Sequence, residues 1–316
     1  MKKKLTLVLI IVISILFFLS CDETLNPNAP FRERFSLNGI MRSDTSLQVI
    51  TITHSYQPLD NNPLSYTEDP AITNAEVNVY YDNKLYRMRD TSIVRTDTSH
   101  YNSSVRFYYN PELKPEANKT IEVDALLPNG LLLQSVCITP DVEEIGFFSY
   151  ENPRLIPDGT KSKIRIAWKD IEGVLYDYKL ILKYRVKGDS SLYKREIPIL
   201  YSGIPNNPKP VYPIPVEDAK LDFDVETLTR SLNSLPEDGK TKKDYSFDGI
   251  DFALIVYDEN LSKYFYSIRQ AADGFTVRLD NPDYTNIKGG FGIFGSYVKT
   301  VYQLKIRADY LTSLGF

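Results

Sequence analysis

Few residues of this chain have the type and spacing that catalytic or covalent chemistry needs. Its two histidines are His54, in a strand-like run, and His100, in a loop, and they form no pair at ligand spacing. A zinc site draws on clusters of cysteine and histidine, and none is written here, so no metal and no cofactor are expected. Cys137 lies in Leu131-Leu132-Leu133-Gln134-Ser135-Val136-Cys137-Ile138. With no basic neighbour in sequence to lower its pKa it reads as a small buried hydrophobe, the other reading being a reactive thiol. Asp222, Asp224 and Glu226 alternate just before a helix-like run. They read as a capping and solvated cluster, because the glycine and closing glutamate of a calcium loop do not follow. Asp248-Gly249-Ile250-Asp251 reads as a turn. Gly290, Gly292 and Gly295 spell G-x-G-x-x-G, yet a dinucleotide loop opens a helix inside a βαβ unit, whereas Tyr297–Ile306 alternates like a strand. The reading that fits is a glycine-kinked strand in which Phe291, Ile293 and Phe294 pack while the glycines let backbones approach closely. No G-x-S-x-G elbow appears. The 41 acidic residues leave one catalytic route open, a carboxylate pair of the glycoside-hydrolase kind.

The other cysteine stands in a more telling place. Lys2, Lys3 and Lys4 precede an apolar run from Leu5 to Leu19, interrupted only by Thr6 and Ser14, and the run stops at Ser20-Cys21-Asp22-Glu23. That is the layout of a secretion signal, and it falls short of the roughly 20 apolar residues of a membrane span. Phe18-Leu19-Ser20-Cys21 resembles the processing box of bacterial lipoproteins, with Phe18 where an aliphatic residue is usual. The resemblance implies that residues 1–21 are a lipoprotein signal and that Cys21 becomes the diacylated first residue of the mature chain. Without the three leader lysines the formal net charge of −4 becomes −7. An acidic chain with no basic stripe argues against nucleic acid and against electrostatic docking on anionic lipid; two acyl chains anchor a protein by themselves. If Cys21 is consumed in this way, Cys137 has no partner and a disulfide framework is excluded.

The elements beyond the leader read as follows. Residues 22–30 lack periodicity and apolar content and read as a tether; its acidic pair Asp22-Glu23 is either ordinary tether charge or a surface-export signal. Residues 31–141 read as β throughout, with alternating runs at Leu47–Thr53, Ala75–Tyr81 and Lys84–Met88 and a hairpin turn at Asp82-Asn83. Further strands are expected at Val105–Tyr109, Thr120–Leu127 and Leu131–Ile138. Seven or so short strands at this spacing point to an immunoglobulin-like sandwich. The long loop Gln57–Asn74 is its best contact candidate. Residues 145–316 read as a second β-rich domain with two short helices. Lys163–Trp168 and Tyr176–Val186 resemble strands B and C of a fibronectin type III module, which implies that Trp168 packs in a core. A proline-rich connector follows between Ile204 and Pro215. One helix is expected after Asp224, with Val225, Leu228, Leu232 and Leu235 on one face and a stop at Pro236. A second is expected from Leu261, capped by Asn260, burying Tyr264, Phe265, Ile268 and Ala272 and ending at Gly274. The fold class is therefore mainly β: two immunoglobulin/fibronectin-like sandwich domains, the second with helical insertions.

Together the processing box, the strand pair Phe35–Ile40 and Leu47–Tyr56, the phrase Ile72-Thr73-Asn74-Ala75-Glu76-Val77, the strand into Thr139-Pro140 and the tail Asn286–Gly295 resemble a family of Bacteroidota-type outer-membrane lipoproteins. It is a domain-of-unknown-function family found near TonB-dependent transporters. The resemblance implies location and architecture, and carries no catalytic residues. The expectation is a lipid-anchored, non-enzymatic accessory of an outer-membrane transporter. The alternative is a surface glycan- or peptide-binding module, motivated by long loops and 23 tyrosines, and a carboxylate-based hydrolase is the weaker one. Tyrosine supplies contact area at low entropic cost, and Tyr56, Tyr66 and Tyr212, beside long or proline-rich loops, are the candidate contact residues.

Overall fold

The structure, a computed structural model, describes residues 31–58, 62, 65–141, 147–148, 155–157, 163–203, 208–236, 239–270 and 284–316. The leader, Cys21 and the tether at 22–30 lie outside the described residues. With 49% strand against 12% helix the chain is mainly β.

Alternation at period two becomes strand in every run where it was read. The first half holds β1 (Phe35–Arg42), β2 (Gln48–His54), β3 (Glu76–Tyr81), β4 (Lys84–Ile93), β5 (Val105–Asn110), β6 (Thr120–Leu126) and β7 (Leu132–Ile138). In β3, Val77, Val79 and Tyr81 are buried while Glu76 and Tyr80 face solvent, as a pleated strand with one dry face requires. Asp82 and Asn83 have φ of 49° and 58° and join Tyr81 to its partner Lys84. Both central residues of this two-residue hairpin are thus left-handed, a conformation that Asp and Asn tolerate best after glycine. The strand that follows serves two neighbours in turn. The first half of β4 pairs with β3, and Arg89–Ile93 pairs with β5. The buried faces of β1, β2, β3, β6 and β7 meet in one core, which includes Leu37, Ile50, Val79, Val123 and Leu133.

The second half holds β8 (Phe147–Phe148), β9 (Leu155–Ile156), β10 (Lys163–Trp168), β11 (Tyr176–Val186), β12 (Tyr193–Ile197), β13 (Leu200–Ser202), β14 (Lys209–Val211), β15 (Lys220–Asp224), β16 (Tyr245–Tyr257) and β17 (Phe291–Ile306). Its helices are α1 (Val225–Asn233), α2 (Glu259–Gln270) and α3 (Ala308–Ser313). Trp168 is buried as expected, its ring centroid 5.5 Å from Tyr176 and 5.8 Å from Phe252, within a core that also holds Leu228 and Leu232 of α1. Part of the proline-rich connector is a short ladder: β13 pairs with β14, Tyr201 opposite Pro210. Asp248-Gly249 is no turn. Along β11, Lys183 faces Gly249 and Tyr184 faces Phe247, so Asp248 is the extra residue of a bulge inside β16, with Gly249 at φ +111°. The aspartates around it are in ion pairs, Asp251 with Lys183 at 2.6 Å and Asp248 with Arg185 at 3.2 Å.

One strand joins the two halves. The first residues of β17 run parallel to β1, Ser36 opposite Phe291 through Arg42 opposite Tyr297. From Tyr297 onward it runs antiparallel to β16, Tyr257 opposite Tyr297 through Ile250 opposite Leu304. The long sheet therefore reads β12-β11-β16-β17-β1-β2-β5-β4-β3-β6-β7. The sequence assigns the tail to the second half alone, and this is corrected: Ile287 and Phe294 belong to the first core and Leu304 to the second. The glycines make the join. A Cβ on Gly292 would lie 2.2 Å from the Leu37 carbonyl oxygen, and one on Gly290 would lie 2.6 Å from that of Phe35. Ile293 and Phe294 pack as expected; Phe291 does not, and lies largely exposed under the Arg34 guanidinium, 5.0 Å from its ring.

Candidate functional site

The strand directions gather four strand ends at one end of the first half. Phe35 begins β1 opposite His54, which ends β2, and Ile93 ends β4 opposite Val105, which begins β5. The loops 55–75 and 94–104 therefore leave the same end, together with the first residue of the paired fold, Arg34, whose N–H donates to Ser55 Oγ at 2.8 Å. Here the structure brings together two of the three tyrosines singled out from sequence. Tyr56 and Tyr66 stack at 4.1 Å with 10° between their planes. Tyr212 is not with them: it follows β14, exposed, beside the second core's short ladder.

Three further residues complete the cluster, and sequence reading passed over all of them in this role. Tyr101 hydrogen-bonds to Tyr56, and that bond, with burial, raises its phenol pKa. His100 stacks on Tyr101 at 4.1 Å. The Arg95 guanidinium lies 5.2 Å over the same ring, donates from Nε to the Ser103 carbonyl at 2.9 Å, and forms an ion pair with Asp69. Arg95 and His100 thus both pack on the Tyr101 ring, and cation–π contact and ion pair together hold the guanidinium. The loops are laced by more than rings. Asp69 N–H donates to Ser103 Oγ, Asn102 N–H to the Thr67 carbonyl, and His54 N–H to the Pro70 carbonyl at 2.9 Å. A cleft of about 360 Å3 lies beside the stack, lined by Ile93, Val94, Asp97, Ser99, His100 and Tyr101 among others. Inside the stack His100 Nε2 is buried without a hydrogen-bond partner. The one signal that could have found these three is composition: Arg, His and Tyr close together in a loop between two strands.

Such lacing ties the described parts of the two loops to each other. Arg95→Ala removes the cation over Tyr101 and the ties to Asp69 and Ser103 at once. It is expected to make the 57–74 loop susceptible to limited proteolysis and to cost on the order of 1–2 kcal/mol of global stability, since the Arg95 and Asp69 side chains are only 19% and 14% exposed. Mapping the cleavage sites by mass alongside a urea melt checks both halves of that statement.

The other residues considered for chemistry have structural employment. Asp222 is held by Arg165 through two bonds of 2.6 and 2.7 Å, which lowers its pKa, and Glu226 pairs with Arg230 at 2.7 Å. Asp224 has the extended backbone of an N-cap, without a side-chain cap bond. His54 Nδ1 lies 3.0 Å from the Ser55 carbonyl. Cys137 is buried in β7 as expected, and burial pushes its thiol pKa well up, away from reactivity. Its neighbour is the most perturbed carboxyl described. Asp258 is raised to about 6 by burial, and both oxygens are engaged: Oδ1 accepts from Leu261 N–H at 2.8 Å, Oδ2 from Ser296 N–H at 2.8 Å and from Ser296 Oγ at 3.1 Å. Asp258, and not Asn260, is therefore the cap of α2, which begins two residues earlier than expected. Asn260 instead ties α2 to the sheet, its Nδ2 donating to the Val136 carbonyl at 3.0 Å. Ile268 is exposed rather than buried, and Ala272 and Gly274 lie outside the described residues. No group of three or more His, Cys, Asp or Glu side chains placed to hold a metal ion occurs among the described residues. The chain matches no protein-family model and no curated protein.

Proposed function

We propose that this chain is a lipid-anchored, non-enzymatic binding component of the cell envelope, held in the outer membrane through Cys21 and working beside a TonB-dependent transporter. The observation that supports it best is the loop end: Tyr56, Tyr66, Tyr101, His100 and Arg95 tie the described parts of two long loops into one aromatic surface. A surface fixed before binding avoids the ordering cost of association. In this reading residues 31–141 are an immunoglobulin-like sandwich and the second half a fibronectin-like one, with β17 shared between them. The same aromatic surface favours a second reading, a glycan- or peptide-binding module, because aromatic faces and a neighbouring cleft suit such ligands. The hydrolase reading loses its best acid, since Asp258 spends both oxygens on α2 and β17.

Affinity isolation of the chain from detergent-solubilised membranes at native expression is expected to recover a β-barrel transporter, and Arg95→Ala is expected to weaken that recovery. A chain that purifies alone yet retains a ligand on a glycan array or in calorimetry supports the second reading instead. A chain that does neither removes both.

A further inference from the structure

We infer that the strand end carrying Arg34, Tyr56, Ile93, Val94 and Phe291 is the face that meets the bilayer, with its aliphatic tip seated at the boundary between headgroups and acyl chains. This rests on the Cys21 anchor proposed above, and it stands in place of, not beside, a soluble ligand or a partner protein at this same loop end. Covalent connectivity carries the argument. Arg34 is tied to Ser55 in both directions, Arg34 N–H to Ser55 Oγ at 2.8 Å and Ser55 N–H to the Arg34 carbonyl at 2.7 Å. From Cys21 to that point the chain has thirteen residue steps, at most about 45 Å when fully extended. The far end of β1, an eight-residue strand, lies about 25 Å farther along the fold. The same tether therefore brings the Arg34 end to the membrane with the least extension, and every other end at greater entropic cost.

The chemistry of that end agrees. Val94 is 84% exposed and Ile93 56%, where β4 gives way to the loop before β5, and Phe291 is 41% exposed next to Arg34. The tyrosines Tyr56, Tyr66 and Tyr101 are half-buried behind them, and tyrosine favours the headgroup level, where an apolar ring meets a wet hydroxyl. Of the cations named at this end, Arg95 is paired with Asp69 and Arg34 lies over the Phe291 ring, two charges where a cluster of about four to eight draws anionic lipid. The occupant is accordingly an uncharged lipid surface, gripped by apolar burial.

The test uses the full acylated chain in phosphatidylcholine vesicles with and without nitroxide-labelled lipids. A fluorophore is placed at Val94→Cys, and in a second protein at Ile214→Cys, which is 66% exposed in the other half of the chain. Cys137 is buried and Cys21 consumed by lipid, so each protein labels once. The probe at 94 is expected to be quenched by nitroxide lipid several-fold more than the probe at 214, with a ratio that added salt leaves unchanged. Equal quenching at the two sites in an acylated, vesicle-bound chain overturns the docking and leaves the anchor standing. Shielding of position 94 that arises only when a membrane protein is co-reconstituted assigns the face to that protein instead. A chain whose intact mass lacks acyl groups and that washes off the vesicles overturns the anchor, and the docking with it.

Discussion

Gly292→Ala is expected to destabilise the chain by on the order of 3 kcal/mol or more, at the far end of what single substitutions do. Two costs coincide at this position. Its φ is +105°, a region that glycine visits freely and residues with a Cβ avoid. The added carbon would also lie 2.2 Å from the Leu37 carbonyl oxygen and 2.9 Å from Asn38 Oδ1. The first of these atoms is backbone of the strand that β17 pairs with, so relief requires β1 and β17 to separate. Asn38 adds to the loss, because its Oδ1 accepts from Ile293 N–H at 3.2 Å. Parting the strands would open the only ladder between the two cores among the described residues, so loss of cooperativity should accompany loss of stability. Gly130→Ala is the control. It too has positive φ, +84°, but nothing lies within 4 Å of its Cβ position, so only the conformational cost of about 1 kcal/mol remains. Urea melts of the two variants decide the matter: an unchanged midpoint and slope for Gly292→Ala would show that the β1–β17 join does not hold the halves together.

That join marks the limit of what the sequence made legible. Local signals were read well. Alternation located β2, β3, β5, β6 and β7 to within a residue or two, whereas β4 was read as ending at Met88 and runs five residues further to Ile93; the Asp82-Asn83 pair announced its hairpin; Asp224, Leu228 and Leu232 announced α1. The glycine-rich tail was read as a kinked strand because its context failed the helix that a nucleotide loop needs, and the structure agrees. Which strand those glycines approach was not legible, because the pairing of Ser36 with Phe291 spans most of the chain and leaves no periodicity of its own. The cap of α2 went wrong for a related reason. Asn260 is a good capping residue by type, but Asp258 is equally good and is placed by β16, whose last residue is Tyr257; tertiary position, and not propensity, chose between them. At the candidate site, Tyr56 and Tyr66 were chosen for sitting beside a long loop, and the structure stacks one on the other. Arg95, His100 and Tyr101 were missed because a stack across two loops is a property of where β4 and β5 end, and strand ends in space are not spacing in sequence.

The second large effect lies at Asp258, and its pH dependence separates it from an ordinary cap. Replacing Asp258 with alanine removes the bond to Leu261 N–H, worth about 1 kcal/mol as a helix cap. It also leaves Ser296 N–H buried without a partner, at about 1–3 kcal/mol. Against this, the carboxylate is costly to keep charged at this depth, which is why burial raises it from 3.8 to about 6. A group raised in the folded state stabilises fully below its unfolded value, and that contribution is lost as pH rises through the folded one. Asp258 therefore contributes most below pH 3.8 and nothing beyond its bonds above about pH 6. Asp44 and Asp222, lowered in the folded state, act in the opposite sense and lose their contribution as acid protonates them. They are present in both wild type and variant, so the difference between the two proteins isolates Asp258. The loss on Asp258→Ala should be greater at pH 4.5 than at pH 7.5, by about 2 kcal/mol for a group with these two values. Urea melts of both proteins at the two pH values measure it. A difference that does not change with pH would mean that the carboxyl is solvated in solution, and that α2 is not held to β17 through a dry Asp258–Ser296 pair.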